Sequence, residues 1–295
     1  MKPILEIIDT QDWLDKASDV VQPAILDTFK AAGEAGKKAK NLLHGKWLGH
    51  PLHPLITDIP VGAWTTAAIL DTFELMGNKH YKTGADAAVK IGLFGAAGAA
   101  VTGLTDWTGT TSIERKTGML HGLLNVAATA LYITSLVLRN KKSTRKTAIG
   151  LSMLGYGITA ASAYLGGTLV YDKQMGVNHT ALPQGYPKKY VAVLPNKELK
   201  ENMMKCVRAE QVDILLVKKN RKIYAIANTC SHLGGPLSDG ELLDDCRVRC
   251  PWHQSVFSLE DGSVVDGPAT QPQPKFDVRV KHGQIEVKLK SGWVE

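Results

Sequence analysis

The chain has 295 residues, of which 44% are hydrophobic and 21% are charged. This composition excludes an intrinsically disordered chain, and four cysteines are too few for a small scaffold held together by disulfides. The net charge of +7 is modest, so it suits a lipid surface or an acidic protein partner and gives no evidence for nucleic-acid binding beyond a mild positive charge.

Residues 1–50 form a polar, lysine-bearing amphipathic segment. Ile25 and Phe29 lie at helical spacing, and Gly33, Gly36 and the lysine run after them are expected to interrupt or end the helix. Two interpretations stay open, namely a helix that lies on the bilayer surface and a solvated helix that packs on the protein.

Four apolar stretches follow, and they predict a four-helix transmembrane bundle over residues 51–172. The stretches cover residues 59–70, 91–105, 117–138 and 147–171. The last two lack Asp, Glu, Lys and Arg and are long enough to cross a hydrocarbon core of about 30 Å, whereas the first two reach that length only with a charged residue near one end. A soluble helical bundle is the alternative.

Small residues four positions apart are expected to let these helices approach closely. They are Gly95, Ala99 and Gly103 in the second stretch, and Ala163 and Gly167 in the fourth.

Histidines gather near one predicted membrane face. Four spans would place residues 1–50, the loop between the second and third spans, and all of the chain after residue 172 on the same side. His50, His53 and His121 lie near that side, where polar groups at membrane depth usually face the bundle interior. Three interpretations stay open: interhelical hydrogen bonds, a quinone or proton site, and a haem b ligated by His53 and His121.

The run His50-Pro-Leu-His53-Pro-Leu-Ile-Thr-Asp58-Ile-Pro-Val-Gly62 resembles the opening helix of an uncharacterised bacterial family of small four-span membrane proteins. Members of that family are sometimes fused to an iron–sulfur domain. The resemblance covers about residues 45–172 and implies no particular activity.

The pattern changes to short β-strands after a linker at residues 173–187. Alternating or β-branched runs occupy residues 190–194, 212–217, 223–227 and 285–289. Gly-bearing turns at residues 260–262 and 281–283 are typical of hairpins. The sequence therefore predicts an α+β two-domain membrane protein, with a helical transmembrane domain followed by an all-β domain over residues 188–295.

Two loops of the β domain carry metal-ligand spacing. They read Cys230-Ser-His232 and Cys250-Pro-Trp-His253, so each supplies one thiolate and one imidazole. In a Rieske [2Fe–2S] centre two thiolates hold one iron and two histidines hold the other. A Cys2His2 zinc site takes the same ligands, but common zinc modules place C-x2-C before H-x3–5-H. Coincidence of four unrelated residues is the third interpretation.

The domain resembles the Rieske family over about residues 188–290. That resemblance implies that Leu233 and the proline loop with Pro268 shield the cluster, and that Ser255 donates to a bridging sulfide. It also implies that the outer ring edges of His232 and His253 face solvent and form the electron exit path. The loop after His253 usually continues with Gly, and Gln254 stands there instead.

Two departures from the quinol-oxidising Rieske subclass bear on the reduction potential. That subclass carries a disulfide between the positions of Gly235 and Trp252, and a Tyr at the position of Phe257. Fewer hydrogen-bond donors stabilise the reduced cluster less, so we expect a potential in the lower part of the Rieske range. Cys206 and Cys246 are expected to be buried as small apolar residues, with Cys246 on a strand facing the same way as Cys250.

These observations predict a membrane-anchored Rieske protein that passes single electrons between a membrane or soluble donor and a partner such as a reductase, an oxygenase or a respiratory component. It would be an electron-transfer component rather than a complete enzyme, and we assign no catalytic residue. The alternatives are a redox-sensing or structural module on a membrane anchor, and a component of a Rieske oxygenase system.

The same reading predicts an integral protein of a bacterial plasma membrane with its Rieske domain and N-terminus in the cytoplasm. Lys and Arg near the span ends number nine on that side and seven on the other. The absence of the disulfide agrees with a reducing compartment.

Overall fold

The computed structural model describes residues 2–181 and 185–292 and divides the chain into two compact units. The first unit comprises residues 1–39 and 51–174, and the second comprises residues 40–50 and 175–295. Residues 182–184 of the predicted linker and residues 293–295 of the predicted β domain lie outside the described residues.

The described residues contain seven α-helices, which lie between residues 2 and 171. They are α1 (Lys2–Asp9), α2 (Asp12–Ala31), α3 (Gly33–Leu43), α4 (Leu52–Leu75), α5 (Lys82–Trp107), α6 (Ser112–Leu138) and α7 (Arg145–Tyr171). Three segments are long and apolar enough to cross a membrane, at Lys79–Trp107, Ser112–Leu138 and Lys142–Tyr171. Helix α4 carries Asp58, Asp71 and Glu74 and is not among these three.

The N-terminal helices pack on the protein. Leu14 of α2 is buried in a cluster with Trp107 and Met119, and the side-chain amide of Gln22 donates to the carbonyl oxygens of Trp107 and Thr110 at 3.0 Å. Of the two interpretations of residues 1–50, these contacts support the packed helix.

Of the three features expected to break the N-terminal helix, only Gly33 does so. Gly33 has a φ of +55° and separates α2 from α3, as expected. Gly36 and the lysine run lie inside α3. A Cβ on Gly36 would meet the carbonyl oxygen of Phe29, so glycine is needed there for close approach of the backbone and not to end a helix.

The four long helices form two hairpins that repeat each other. Residues of α4 have counterparts 68 positions later in α6, and residues of α5 have counterparts 63 positions later in α7. The buried positions of α4 are Pro60, Trp64, Ala67 and Asp71. Their counterparts Ala128, Tyr132 and Ser135 are buried in α6, and Arg139, directly after α6, is buried as well. Counterparts also meet each other across the unit, since the rings of Trp64 and Tyr132 stack 4.0 Å apart. Repeats related by an axis along the membrane normal are a known architecture of membrane proteins.

Small residues of the second helix of each hairpin make room for large residues of the first. A Cβ on Gly92 would lie 2.1 Å from the Trp64 indole nitrogen, and a Cβ on its counterpart Gly155 would lie 3.1 Å from the Tyr132 ring. In α5 the predicted residue Gly95 packs against Ile59 in the same way. In α7 the predicted residues Ala163 and Gly167 are wrong by one position, because the α-helical period turns Ser162 and Gly166 inward instead.

A charged network ties the hairpins together at the end remote from residue 51. The Arg139 guanidinium, 1% exposed, pairs with Asp71, 0% exposed, and also contacts Asp86 at 2.9 Å. Arg145 holds Asp86 and Glu74, each at 2.6 Å. Removing one member of such a buried network leaves an uncompensated charge, which is the costly event.

Among its described residues, the second unit contains ten strands in three antiparallel sheets. The strands are β1 (Val191–Pro195), β2 (Met203–Ala209), β3 (Val212–Lys219), β4 (Lys222–Ala227), β5 (Glu241–Leu243), β6 (Arg247–Arg249), β7 (Val256–Ser258), β8 (Val264–Asp266), β9 (Phe276–Lys281) and β10 (Gln284–Leu289). The sheet orders are β1-β10-β9, β2-β3-β4 and β5-β6-β7-β8. Strand β3 supplies both cores, because Leu215 and Val217 face one apolar cluster while Ile214 and Leu216 face the other. The four predicted strands and both predicted hairpin turns are confirmed to within two residues.

We expect Asp71→Asn to lower the free energy of unfolding of the helical unit by about 3–5 kcal/mol, because it leaves the buried Arg139 charge undercompensated. The double variant Asp71→Leu/Arg139→Met removes both charges and should recover most of that loss. Unfolding of the full chain in mixed micelles, followed by helical circular dichroism, measures both. Asp27→Asn is the matched control, because Asp27 pairs with Lys30 on an exposed face and such pairs contribute at most about 1 kcal/mol. If Asp71→Asn lowered the free energy of unfolding by no more than Asp27→Asn does, the expectation would be wrong.

Candidate metal centre

Two similar loops present the predicted ligands. The first follows β4 and the second joins β6 to β7. In the first loop the Cys230 N–H donates to the Gly235 carbonyl at 2.8 Å, and in the second the Cys250 N–H donates to the Ser255 carbonyl at 2.8 Å. The same closure in both loops places each cysteine at the start of a tight turn and each histidine within it.

The two imidazoles converge on one point. The Nδ1 atoms of His232 and His253 lie 3.3 Å apart, and the ring planes are inclined at 79°. A metal ion that binds two imidazole nitrogens tetrahedrally at about 2.1 Å brings those nitrogens to about 3.4 Å from each other. The spacing of the two nitrogens therefore fits joint ligation of a single iron.

Burial keeps both imidazoles in the form that binds metal. The pKa of His232 is lowered to about 3, first by burial and then by the neighbouring imidazoles of His253, His44 and His179. Burial also lowers the pKa of His253. Both rings are therefore neutral at physiological pH and keep a lone pair for a metal.

The two predicted cysteine ligands lie next to each other. Cys230 and Cys250 are each 1% exposed and share a hydrogen bond, which together with the Trp252 and His253 N–H groups lowers the pKa of Cys250 to about 7. The same hydrogen bond and burial raise the pKa of Cys230, whose sulfur also accepts from the N–H groups of His232 and Leu233. Backbone donors aimed at both sulfurs suit a pair of thiolates on a second iron.

The predicted shielding residues are partly or fully buried in the loops of this unit. Leu233 is half-buried, and Pro268 is buried in the loop after β8. Ser255 is 0% exposed, and its Oγ accepts from the Ala269 N–H at 3.0 Å. This hydrogen bond connects the proline loop to the second cluster loop. The Ser231 hydroxyl donates to the Gln271 carbonyl at 2.7 Å and connects the proline loop to the first cluster loop.

The position of Gln254 requires backbone that favours glycine. Its φ is +64°, in the left-handed region, and its N–H still donates to the Cys250 carbonyl at 3.2 Å. The loop keeps its closure at a conformational cost of about 1–2 kcal/mol for a residue with a Cβ.

The expected solvent exposure of the histidine edges is not observed. His232 and His253 are both half-buried, and Nε2 of His253 is buried without a hydrogen-bond partner among residues 2–181 and 185–292. His44 and His179 lie close enough to His232 to influence its titration, so the surroundings of the ring are more crowded than the sequence indicates.

Residues 41–49 complete the site, and sequence reasoning missed them. The Asn41 side chain accepts from the Gly267 N–H at 2.9 Å, and the Lys46 ammonium donates to the Val265 carbonyl at 2.9 Å. The Gln271 side chain donates to the Gly49 carbonyl. This segment therefore holds the proline loop through hydrogen bonds at Val265, Gly267 and Gln271. No motif marks it, because its contacts are mostly polar and join residues more than 200 positions apart.

The remaining cysteines differ from each other. Cys246 is buried as expected, but it lies in a turn with a φ of +52° before β6 rather than on a strand. Cys206 is exposed on β2, which overturns the expectation that it is buried. Period two alone does not show which face of an edge strand is covered.

Comparison with known proteins agrees with this geometry. A family model for the Rieske [2Fe-2S] domain matches residues 189–277, and a model described as a predicted membrane protein (DUF2231) matches residues 49–179. The 3-phenylpropionate/cinnamic acid dioxygenase ferredoxin subunit of Escherichia coli (strain K12) is 38% identical over 76 residues, which are 26% of this chain and 72% of that protein.

A longer relative and a solved structure are also similar to part of this chain. Apoptosis-inducing factor 3 of Homo sapiens is 35% identical over 97 residues, which are 33% of this chain but 16% of that protein. The ferredoxin of carbazole 1,9a-dioxygenase from Nocardioides aromaticivorans IC177 is 26% identical, with 35% of this chain and 99% of that chain aligned at a TM-score of 0.33. The chain therefore belongs to the Rieske [2Fe–2S] family through its C-terminal domain, which is fused to a predicted membrane protein domain of the DUF2231 family.

Proposed function

We propose that the protein is a membrane-anchored one-electron carrier. The observation that carries this proposal is the convergence of the two imidazole Nδ1 atoms beside a pair of thiols. When bound, a [2Fe–2S] centre takes up and releases single electrons. The protein supplies two thiolates, two neutral imidazoles and a covered pocket that hold the centre.

The electron acceptor is a partner protein of the oxygenase type. The relative from Escherichia coli is a ferredoxin subunit of a dioxygenase, and this chain spans most of its length. A reductase or a respiratory component on the donor side completes the route. This function makes the chain a component of an oxidoreductase system in which the chemical step belongs to the partner.

The helical unit anchors the carrier through four spans, and the contacts of residues 40–50 support this number. These residues pack on residues 265–271 within the second unit. The chain before α4 and the chain after α7 must then lie on the same side of any membrane that the helices cross. An even number of crossings agrees with this arrangement, and in this proposal α4 is the fourth span beside the three candidate spans. Its 24 residues extend about 36 Å, enough to cross a core of about 30 Å.

The reduction potential belongs in the lower part of the Rieske range. Gly235 and Trp252 adjoin beside the cluster thiols, since a Cβ on Gly235 would lie 3.0 Å from the Trp252 ring and 3.1 Å from the Cys250 sulfur. Neither residue can form the disulfide of the quinol-oxidising subclass. Phe257 is fully buried and has no hydroxyl, which leaves Ser255 as the side-chain donor near the cluster.

The Rieske domain faces the cytoplasm in this proposal. The excess of basic residues on that side is small, and the absence of a disulfide beside the cluster is consistent with a reducing compartment. Cys206 supplies a native chemical probe of the assignment, because it is the exposed cysteine among the described residues.

The purified full-length protein should give a rhombic EPR signal after reduction with dithionite, with an average g below the free-electron value. His253→Ala should abolish that signal, because one iron loses half of its protein ligands. His282→Ala is the matched control, since His282 is an exposed histidine in the hairpin between β9 and β10. Stoichiometric zinc in place of iron, or an unchanged signal in His253→Ala, would contradict the proposal.

Ser255→Ala should lower the midpoint potential by about 60–130 mV, because one hydrogen bond to a charged group is worth about 1.5–3 kcal/mol and a one-electron couple shifts by 59 mV per tenfold change. Phe257→Tyr should raise the potential if the phenol reaches a ligand sulfur. Potentiometric titration followed by EPR measures both. Ser258→Ala is the control, because the Ser258 hydroxyl accepts from Glu260 in an exposed turn. A wild-type midpoint above about +100 mV, well inside the Rieske span, would refute the low-potential assignment.

A membrane-impermeant maleimide should label Cys206 in inverted membrane vesicles and leave it unlabelled in intact spheroplasts. The reason is that the exposed β2 surface faces the cytoplasm in this topology. Cys206→Ser should remove the labelling and serves as the specificity control. Labelling in spheroplasts would place the Rieske domain on the outer face.

A further inference from the structure

The four long helices bring two histidines to equivalent positions of the repeated hairpins. His53 of α4 and His121 of α6 are counterparts 68 positions apart. Their ring centroids lie 6.4 Å from each other, and the ring planes are inclined at 88°. The two imidazoles of the repeated hairpins therefore lie close together with their ring planes nearly perpendicular.

The hydrogen bonds of the two rings fix the same tautomer in both. Nδ1 of His53 lies 2.9 Å from the Ala99 carbonyl oxygen, and Nδ1 of His121 lies 2.8 Å from the Ser162 carbonyl oxygen. A carbonyl only accepts, so each Nδ1 carries the proton and each Nε2 of the neutral ring carries the lone pair. Histidine ligands of metals characteristically donate their other N–H to a backbone carbonyl or a carboxylate in this way.

Glycines make room for both rings. A Cβ on Gly103, one helical turn after Ala99, would lie 2.7 Å from Cε1 of His53. A Cβ on its counterpart Gly166, one turn after Ser162, would lie 3.3 Å from Cε1 of His121. Each histidine thus has a carbonyl partner and a glycine on the second helix of its own hairpin, and the arrangement occurs twice.

We propose that His53 and His121 are the axial ligands of one non-covalently bound haem. The macrocycle supplies four ligands to its iron, so two imidazoles complete the coordination. With iron–nitrogen bonds of about 2.0–2.1 Å and about 1.1 Å from Nε2 to the ring centre, two axial imidazoles place their centroids about 6.3 Å apart. All four cysteines lie at or after residue 206, so the helical unit offers no thioether attachment.

The geometry favours haem over a quinone. An oxidised quinone offers only hydrogen-bond acceptors, and Nε2 in this tautomer is an acceptor as well. A quinol held between both Nε2 atoms needs two hydrogen bonds of about 2.8 Å and the width of its ring, which separates the nitrogens by about 11 Å. The observed spacing of 6.4 Å between centroids is too short for that arrangement.

The Asn125 side chain occupies the position beside Nε2 of His121 that an iron ion would take. Its amide donates to Nε2 of His121 at 3.1 Å, and Asn125 lies one turn after His121 on the same helix. Coordination of iron requires this amide to rotate away, which a rotamer change of one side chain achieves.

The test uses the full-length protein, expressed with a supplied haem precursor and purified in detergent. Haem is counted by the pyridine haemochrome assay, and EPR of the oxidised sample reports low-spin ferric haem. The expected result is one low-spin haem per chain. His53→Ala and His121→Ala should each lower bound haem at least tenfold, and millimolar imidazole should restore the low-spin signal of His121→Ala. His80→Ala is the control, because His80 is an exposed histidine outside the four long helices.

Loss of haem is separated from loss of folding and from the proposed electron carrier. The Rieske EPR signal of the reduced sample and the helical circular dichroism should be unchanged in every variant. A wild-type protein that stays haem-free during expression and on titration with hemin overturns the inference and leaves the Rieske proposal intact. Equal haem content in wild type, His53→Ala and His121→Ala also overturns it.

Discussion

The hydrogen bonds between residues 41–49 and the proline loop impose one constraint on the whole molecule. They make a single domain from two stretches of chain that stand before and after the four long helices. The constraint joins residues 41–49 to the loop that carries Pro268. It also determines that the cluster environment includes His44, which no motif of the Rieske region contains.

Within the β domain, local patterns predicted most of what the structure contains. The alternation of residues 212–217, the Gly-bearing turns and the two Cys-x-His motifs are short-range signals, and each marks an element that needs only its neighbours in sequence. The reverse holds for Asn41, Lys46 and Gly49, whose contacts join distant segments. The exposure of Cys206 and the burial of Nε2 of His253 depend on which other segments pack on those surfaces. The alternation of apolar and polar residues along a strand does not contain that information.

The helical domain shows how a small error in register changes an interpretation. Small residues four positions apart marked both Ala163/Gly167 and, one position earlier, Ser162/Gly166, and only packing against His121 decides between them. The repeat of the two hairpins was hidden in the sequence because the counterparts differ in type, as Trp64 and Tyr132 or Asp71 and Arg139 do. The counterparts occupy equivalent buried positions but differ in side-chain type. The stacked pair Trp64–Tyr132 and the ion pair Asp71–Arg139 therefore each join one residue from either hairpin.

The split construction of the Rieske domain has a consequence for how the protein is made. Asn41 and Gly267 are 226 residues apart, so at roughly 5–20 residues per second the ribosome needs on the order of 10–45 s to supply the second after the first. During that interval all four long helices are synthesised, and the hydrogen bond between Asn41 and Gly267 cannot yet form. The loop that carries Pro268 therefore gains its contacts with residues 41–49 only after both cysteines and both histidines of the metal centre have left the ribosome's active site.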